Sequence, residues 1–301
     1  MRVLVTGAKG FVGTNLVEYL KEKQIEVVGL DKRPGTDIQY RLGSMGNPPS
    51  LAGVEVIIHL ASQSHVDKSI TGPVKFLQDN VDGTLELFEI CRNDPDIKQI
   101  ILFSTDEVGA CLETGSFKEE FRFDTGSTYS ATKGAQELLA QAYIKTFHLP
   151  IIITRCVNIF GPYQADEKFI PTVCRYALAD QGVPIYGSGL QQRQWVHVSH
   201  VCDVLNYLCV YQFFPPKTIL HITGTKEIYN ILLARTILNL LGKFPDLITH
   251  VPDRLGHDLR YSMERTDKTN NFGLPEYDES GFMNDLERTV RFYEELYGRR
   301  S

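Results

Sequence analysis

The sequence lacks the features that mark a membrane protein, a secreted protein or a nucleic-acid-binding protein. Its apolar runs all fall well short of the roughly 20 residues that cross a bilayer. No basic segment followed by a long apolar one stands near Met1, so a secretory signal is not expected. Lys and Arg number 31 against 37 Asp and Glu, and the formal charge of -6 disfavours nucleic acid and anionic membranes as partners. We therefore expect a cytoplasmic protein with neither kind of partner.

Cysteine and histidine are also arranged without a disulfide or metal-binding pattern. The six cysteines show no Cys-x-x-Cys spacing, which predicts reduced core thiols. His197 and His200 are three residues apart, but no carboxylate or cysteine near them in the sequence completes a ligand set. The sequence therefore predicts no metal site.

What the sequence does contain is a regular alternation of short apolar runs and helical patterns over about its first 155 residues. Strict alternation of strands and helices indicates a parallel sheet covered on both faces, and right-handed crossovers make such a sheet doubly wound. The predicted strands are Arg2–Thr6, Glu26–Leu30, Val56–Leu60, Ile100–Ser104 and Ile151–Arg155, and the clearest predicted helices are Phe11–Lys23, Asn80–Asn93 and Tyr129–Phe147.

After residue 160 prolines interrupt shorter elements, and the regularity ends. A chain of 301 residues has room for a dinucleotide-binding domain and a second lobe. We expect an α/β fold: a doubly wound Rossmann sheet with a smaller mixed α/β lobe toward the C-terminus. The predicted domain comprises 1–164 and about 195–223, and the lobe about 165–194 and 224–301. The long helices over 80–93 and 129–147 also suit a homodimer seam, although packing on the sheet explains them almost as well.

A glycine-rich turn lies between the first predicted strand and the first predicted helix. Gly7 permits a tight turn, Gly10 lets the backbone approach a pyrophosphate, and Gly13 allows close packing of helix on strand. The start of the helix, at Phe11 and Val12, supplies free N–H groups and a partial positive charge. This placement predicts a dinucleotide site.

Asp31 ends the second predicted strand, about 20 residues further on, where a carboxylate can accept both ribose hydroxyls of NAD. The same carboxylate would repel a 2′-phosphate, so the sequence favours NAD over NADP. The adjacent Lys32 and Arg33 keep NADP open, because an Arg near this position can hold that phosphate.

Tyr129 and Lys133 are one helical turn apart and share a face of their predicted helix. A nearby cation stabilises a phenolate and lowers the tyrosine pKa from about 10. Such a phenolate can take the proton of an alcohol while hydride leaves for a nicotinamide. Alone, a Tyr–Lys pair is more often an exposed helix face; with the glycine turn it is typical of a short-chain dehydrogenase/reductase.

Asp106 and Glu107 follow the fourth predicted strand. Ligands of open α/β sheets bind at the carboxyl ends of the strands. Two carboxyl groups with different pKa values there can serve as acid and base. The alternative for such a dipeptide is a solvated loop.

Further motifs extend the pattern: His59–Ala61, Ser64–Ser69, Asn80–Thr84, Ser104–Val108, Arg155–Asn158, Gly161–Gln164, Glu167–Pro171, Tyr186–Gly189, Arg193–Val198 and Pro252–Tyr261. With them the sequence, from residue 1 to about 263, resembles the extended short-chain dehydrogenases that act on nucleotide sugars, and most closely the dTDP-glucose 4,6-dehydratases. The triplet Thr105–Glu107 distinguishes the dehydratases from related epimerases and decarboxylases, which usually carry Ser or another residue in place of Asp106.

The resemblance implies a redox cycle that consumes no cofactor. Tyr129 helps to oxidise C4 of an NDP-hexose, and NAD takes the hydride. Glu107 removes the C5 proton, Asp106 protonates the departing C6 hydroxyl, and Thr105 hydrogen-bonds the C4 oxygen. Hydride returned to C6 gives an NDP-4-keto-6-deoxyhexose and water.

The resemblance also implies two sets of binding residues and a homodimer. The first domain would bind NAD, and the lobe would bind the nucleotide-diphosphate hexose. The cofactor set is Gly7, Gly10, Phe11, Val12, Gly13, Asp31, Leu60, Ala61, Asn80, Tyr129 and Lys133, and the substrate set is His65, Asn158, Lys168, Arg193, Arg254, His257 and Tyr261.

Four positions depart from the family pattern. Ser44, in a compressed segment after Asp31, stands where an aspartate contacts adenine, and Gly109 stands where a Tyr is expected. Ile159 and Gln194 replace an Asn and an Asp. Two other readings stay open: a 4-epimerase or decarboxylase on the same scaffold, and a binding regulator without turnover.

Overall fold

The structure, a computed structural model, describes residues 1–109, 111–211, 214–253 and 258–298. Its strands are β1 Arg2–Thr6, β2 Glu26–Asp31, β3 Ile38–Gln39, β4 Val56–His59, β5 Gln99–Thr105, β6 Ile151–Cys156, β7 Asn158–Phe160, β8 Val183–Tyr186, β9 Gln192–Arg193, β10 Trp195–His197, β11 Ile219–Ile222, β12 Ile228–Tyr229 and β13 Ile248–Val251. Its α-helices are α1 Phe11–Glu22, α2 Val66–Thr71, α3 Pro73–Phe76, α4 Gly83–Cys91, α5 Thr128–Phe147, α6 Phe169–Leu178, α7 Val198–Val210, α8 Asn230–Leu240, α9 Asp267–Asn271 and α10 Phe282–Gly298.

The central sheet, over the described residues, has seven strands in the order β3-β2-β1-β4-β5-β6-β11, and every neighbouring pair is parallel. The direction in which strands are added reverses between β1 and β4. This is a doubly wound Rossmann sheet, so the predicted α/β fold is confirmed. A ligand crevice is expected at that reversal, outside the carboxyl ends of the strands.

The sheet is buried on both faces because its strands are apolar throughout. On β1, Val3 and Val5 belong to one core, while Leu4 between them belongs to the other. Helices α1 and α7 cover the first face, and α4 and α5 cover the second. Alternation along a strand sends successive side chains to opposite faces.

A third core lies outside the sheet, where α6, α8 and α10 pack around β8 and the ring of Trp195. Segments after residue 224 do not all join it: Tyr261, Met263 and Leu274 pack with the core of the central sheet. The division of the chain into two predicted domains stays a prediction. In the described part of the chain, no helix is both long enough and apolar enough to cross a membrane.

Helix α5 and the helical segment before α4 both carry predicted site residues. Ser127 caps α5, and its side chain and that of Ser130 satisfy each other's backbone N–H groups in a capping box. The helix predicted over 80–93 begins earlier, with a π-helical turn, Leu77–Asp82, that precedes α4, and it ends earlier, at Cys91. Such turns are rare and often lie at functional sites.

Candidate active site

Two adjoining cavities open at the carboxyl ends of β1, β2, β4 and β5. The outer cavity, about 540 Å³, lies at the Asp31 end, and the inner cavity, about 300 Å³, lies at the Tyr129 end. They share wall residues, among them Gly10 and Lys168. A more voluminous hollow of about 850 Å³ lies beside Pro216 and Phe272, away from the switch point of the sheet. The crevice therefore lies where the strand order places it.

The glycine turn has the close approaches that only glycine permits. Gly7 has a φ of +70°, and a Cβ there would lie 2.9 Å from Cα of Ala61. A Cβ on Gly13 would collide with the carbonyl oxygen of Gly7. Gly10 precedes α1 without any side-chain cap, so the first N–H groups of the helix face the cavity. This cradle fits a pyrophosphate.

Asp31 ends β2 in the wall of the outer cavity, with 5% of its surface exposed. Burial raises its pKa, but hydrogen bonds from the Arg33 side chain and from the backbone N–H groups of Arg33 and Lys9 outweigh burial and hold the pKa below its usual value. The carboxylate is therefore ionised, as an acceptor of ribose hydroxyls must be. The glycine cradle and this carboxylate together fit NAD.

Leu60 and Ala61 line the cavities, whereas Asn80 lies behind their wall. Asn80 is fully buried; its Oδ1 accepts from the backbone N–H of Gln63 over 2.7 Å, and its Nδ2 donates to Oγ1 of Thr132 over 2.9 Å. It thus ties the wall segment to α5. The sequence pointed to Asn80, but it did not indicate this structural role through Gln63.

All five predicted catalytic residues line the inner cavity: Thr105, Asp106, Glu107, Tyr129 and Lys133. Thr105 ends β5, and a 3₁₀ turn then carries both carboxyl residues into the cavity wall. Oγ1 of Thr105 accepts from the backbone N–H of Glu107 over 3.4 Å, which caps that turn. The local sequence therefore aims two adjacent acids at one space.

Asp106 is the buried member of that pair, with 3% of its surface exposed. Burial and the negative charge of Glu107 raise its pKa to about 7, against the opposing effects of Arg193 and of a hydrogen bond from Thr105. Its Oδ2 has no hydrogen-bond partner among the described residues. The group can hold a proton near neutral pH, as a general acid must.

The pKa of Tyr129 shifts in the direction opposite to the one predicted from the sequence. Burial and the charge of Glu107 raise it above its ordinary value, although a hydrogen bond with Thr105 acts the other way. Burial lowers the pKa of Lys133 to about 8, with Glu137 opposing, and its Nζ donates to the carbonyl of Phe103 over 2.6 Å. The expected lowering of the tyrosine pKa was wrong because burial, which the sequence pattern does not reveal, and the charge of Glu107 raise the pKa.

A buried ion pair beneath Lys133 escaped the sequence-based reasoning. Glu137, one turn further along α5, is fully buried and receives both Nε and Nη2 of Arg155, the latter over 2.7 Å. Ser104 donates to the same carboxylate over 2.6 Å. The i, i+4 spacing of Lys133 and Glu137 was the available signal, but nothing in the sequence linked it to Arg155.

The predicted substrate residues fall into three groups. Asn158 lines the inner cavity, His65 lines the outer one, and Lys168 lines both. Arg193 and Tyr261 are buried beyond the lining residues, with the guanidinium carbon 4.9 Å from the ring centroid. Arg193 is close enough to Asp106 to lower its pKa. The last two predicted residues, Arg254 and His257, lie outside the described residues.

The four departures from the family pattern have local explanations. Ser44 is exposed and donates to the hydroxyl of Tyr40, which itself lines the outer cavity. Ile159 lines the inner cavity, and Oε1 of Gln194 accepts from the backbone N–H of Met263 over 2.7 Å. Gly109 leaves room for the ring of Phe117, since a Cβ would lie 2.7 Å from its Cζ.

Histidines and cysteines form no metal site in the described ranges, where no group of three His, Cys, Asp or Glu side chains could hold an ion. Nδ1 of His197 lies 2.7 Å from Oγ of Ser199 at the start of α7, so it serves as a helix cap. Five of the six free cysteines are buried, and Cys111 is exposed.

A phenol and an ammonium on α5 thus share one cavity with the glycine cradle at the end of β1. This is the arrangement of a short-chain dehydrogenase/reductase, an enzyme that oxidises or reduces a carbon–oxygen bond with a dinucleotide. The inner cavity adds two carboxyl groups, one of which titrates near neutral pH.

The chain belongs to the NAD dependent epimerase/dehydratase family, whose profile matches residues 3–219. A dTDP-glucose 4,6-dehydratase of Streptomyces niveus is 34% identical over 97% of this chain and 93% of the relative. The dTDP-glucose 4,6-dehydratase 1 of Escherichia coli K12 is 34% identical over 97% of this chain and 92% of the relative. The resemblance drawn from the sequence motifs, to the nucleotide-sugar 4,6-dehydratases, is confirmed.

Solved structures agree. DesIV, a dTDP-glucose 4,6-dehydratase from Streptomyces venezuelae solved with NAD and TYD bound, superimposes with a TM-score of 0.89 at 33% identity, over 99% of this chain and 98% of that one. A UDP-N-acetylglucosamine 4-epimerase from Methanobrevibacter ruminantium M1, with a TM-score of 0.87 at 23% identity, shares the fold. The predicted cofactor, NAD, is confirmed by the family and by the NAD-bound relatives.

Proposed function

We propose that this chain is a lyase, an NAD-dependent nucleotide-sugar 4,6-dehydratase that converts an NDP-hexose into an NDP-4-keto-6-deoxyhexose and water. The observation that carries the proposal is the pair Asp106 and Glu107 in one cavity wall with Tyr129 and Lys133. Oxidation of an alcohol needs only the Tyr–Lys pair. An elimination also needs an acid and a base, and the two carboxyl residues can supply both, because one of them can hold a proton near neutral pH.

Tyr129 accepts the proton of the C4 hydroxyl, and Thr105 hydrogen-bonds the same oxygen as it becomes a carbonyl. When bound, NAD would supply the acceptor for the hydride from C4 and the source of the hydride for C6. The Lys133 ammonium stabilises the phenolate form of Tyr129, which opposes the rise in tyrosine pKa that burial imposes.

The C4 carbonyl acidifies the proton on C5, and Glu107 removes it. Asp106 gives its proton to the C6 hydroxyl, the C6–O bond breaks, and water leaves as the C5–C6 double bond forms. Glu107 then returns its proton to C5. Tyr129 has gained one proton and Asp106 has lost one, so exchange with solvent restores both residues.

We further propose how the rest of the chain contributes. Asn158 and Lys168 bind the substrate from the cavity walls, and His65 binds it from the rim. Residues 1–164 and about 195–223 hold NAD, and about 165–194 and 224–301 hold the nucleotide sugar. The protein works in the cytoplasm as a homodimer.

The experiment is to incubate purified protein with a panel of nucleotide hexoses and to measure product mass. A product lighter by one water is expected, and Glu107→Gln is expected to suppress its formation while C4 oxidation continues. Unchanged mass with inverted C4 would instead establish an epimerase, and loss of carbon dioxide from a uronic acid a decarboxylase. Binding without any turnover would establish the regulator.

A further inference from the structure

At the ribose end of the outer cavity, the side chain of Arg33 forms hydrogen bonds with the carboxylate of Asp31. Its Nε donates to Oδ1 over 3.0 Å and its Nη2 donates to Oδ2 over 3.0 Å. The backbone N–H of Arg33 also donates to Oδ1, and that of Lys9 donates to Oδ2, each over 3.0 Å. The carboxylate therefore receives four hydrogen bonds.

Four hydrogen bonds fill the acceptor capacity of a carboxylate, which offers about two sites on each oxygen. A ribose diol that binds Asp31 needs one site on each oxygen. Two of the four present donors must therefore leave before the ribose can bind. Either the two backbone N–H groups of Lys9 and Arg33 leave, or the two N–H donors of the Arg33 guanidinium leave.

The guanidinium is the part that can leave. The Arg33 side chain is 54% exposed, whereas Asp31 is 5% exposed. An exposed arginine regains water when it swings away, so its ion pair is weak. The backbone donors belong to the glycine turn, at Lys9, and to the segment directly after β2, at Arg33. Moving them would disturb the backbone that forms the cradle.

We propose that Arg33 is a specificity-determining residue of the cofactor site: its side chain competes with the ribose of NAD for Asp31, and it supplies a cation for a 2′-phosphate. Its presence lowers the affinity for NAD and raises the affinity for NADP, so the chain discriminates less between the two than Asp31 alone would make it.

Two neighbouring cations, Lys32 and Arg41, are paired with a carboxylate other than Asp31. Both contact Asp79, at 2.9 Å each, in the wall of the same cavity. Lys32→Gln therefore removes a neighbouring positive charge without freeing Asp31. It is the matched control for Arg33→Gln, because both variants change the formal charge equally.

The test measures cofactor binding. Full-length wild type, Arg33→Gln and Lys32→Gln, freed of copurified nucleotide, are titrated with NAD and with NADP by calorimetry. Arg33→Gln is expected to bind NAD more tightly by about two- to fivefold, the effect of losing an exposed ion pair, and to bind NADP more weakly. The ratio of the two affinities should change less in Lys32→Gln than in Arg33→Gln.

A second comparison removes the carboxylate. In an Asp31→Asn background Arg33 has no anion to mask, so Arg33→Gln should no longer tighten NAD binding and should still weaken NADP binding. Weaker or unchanged NAD binding by Arg33→Gln in the wild-type background would overturn the proposal. The inference rests on the cofactor alone, so its failure and a failure of the dehydratase reaction are separate results.

Discussion

The hydroxyl of Thr105 donates to Oδ1 of Asp106 over 3.0 Å, and Oδ2 of that carboxyl has no hydrogen-bond partner in the described part of the chain. One oxygen is thus held, and the residue lines the inner cavity together with Tyr129 and Glu107. Burial and the charge of Glu107 raise the pKa of this carboxyl to about 7. The group is placed and tuned to deliver a proton.

The first prediction concerns the pH dependence of elimination. Asp106 must be protonated to act as the acid, so the rate should fall as the pH rises through about 7. Asp106→Asn keeps the size of the side chain but removes the acidic proton that the carboxyl group transfers, and turnover should fall by about 10²–10⁴-fold. Formation of the 4-keto product is followed across pH. A variant that keeps both the rate and the alkaline decline would assign the acid to another group.

The second prediction concerns stability and the same carboxyl. Its pKa is raised from 3.8 to about 7 in the folded chain, so its contribution is fully present below about pH 4 and is lost as the pH rises through about 7. The stability of Asp106→Asn relative to wild type should therefore increase by on the order of 4 kcal/mol between about pH 4 and pH 8.

Denaturant unfolding at both pH values checks this prediction. Asp96→Asn, at an exposed position on a turn, is the matched control and should show much less pH dependence relative to wild type. The same stability of Asp106→Asn relative to wild type at both pH values would mean that the pKa of Asp106 is not raised in the folded chain.

The predictable part of the fold was the part with buried strands. Runs such as Arg2–Thr6 and Ile151–Cys156 are apolar because both faces of the sheet are covered, and they can be recognised without any tertiary information. Two strands of the central sheet were missed. Ile38–Gln39 has only two residues at one edge, and Ile219–Ile222 follows a proline pair beyond the regular region, at the other edge.

The predictable part of the site was the part fixed by strand ends and helical spacing. Thr105 and Tyr129 line one cavity because the end of β5 and the start of α5 meet there. Contacts between distant segments were not predictable: Arg155 on Glu137, and Phe117 over Gly109. The predicted direction of the Tyr129 pKa shift was wrong for the same reason, because the shift depends on burial that the whole fold creates.

The third prediction concerns the ion pair beneath Lys133. Glu137 and Arg155 have side chains that are 0% and 2% exposed. Glu137→Gln leaves the arginine charge buried without its counterion, and we expect a loss of about 3–5 kcal/mol in the free energy of unfolding. The paired replacement Glu137→Met with Arg155→Leu removes both charges and should be closer to wild type.

Denaturant unfolding of the single and paired variants tests this expectation. In a variant that stays folded, the pKa of Lys133 should fall further, because Glu137 acts to raise it. The control is Arg291→Gln in α10, which removes an exposed ion pair and should lower the free energy of unfolding by less than about 1 kcal/mol. A paired replacement as unstable as the single one would mean that the pair contributes through packing rather than charge.

The fourth prediction concerns Gly109, where the family pattern has a tyrosine. A Cβ there would lie 2.7 Å from Cζ of Phe117. That ring is 5% exposed and packs 4.9 Å from the centroid of Phe121, so it cannot easily move. Gly109→Ala should therefore lower the free energy of unfolding by about 1–3 kcal/mol, the cost of overpacking.

Shortening the ring separates this cause from others. In a Phe117→Leu background the added methyl group meets a smaller side chain, so Gly109→Ala should cost less than in the wild-type background, and the two changes should be non-additive. Gly281→Ala is the control, because a Cβ there meets open space. Additive losses in the double variant would show that Phe117 is not what excludes a side chain from position 109. In that case the tyrosine of the family could be restored without changing the ring, and the shape of the loop after Glu107 would have to be explained by its backbone alone.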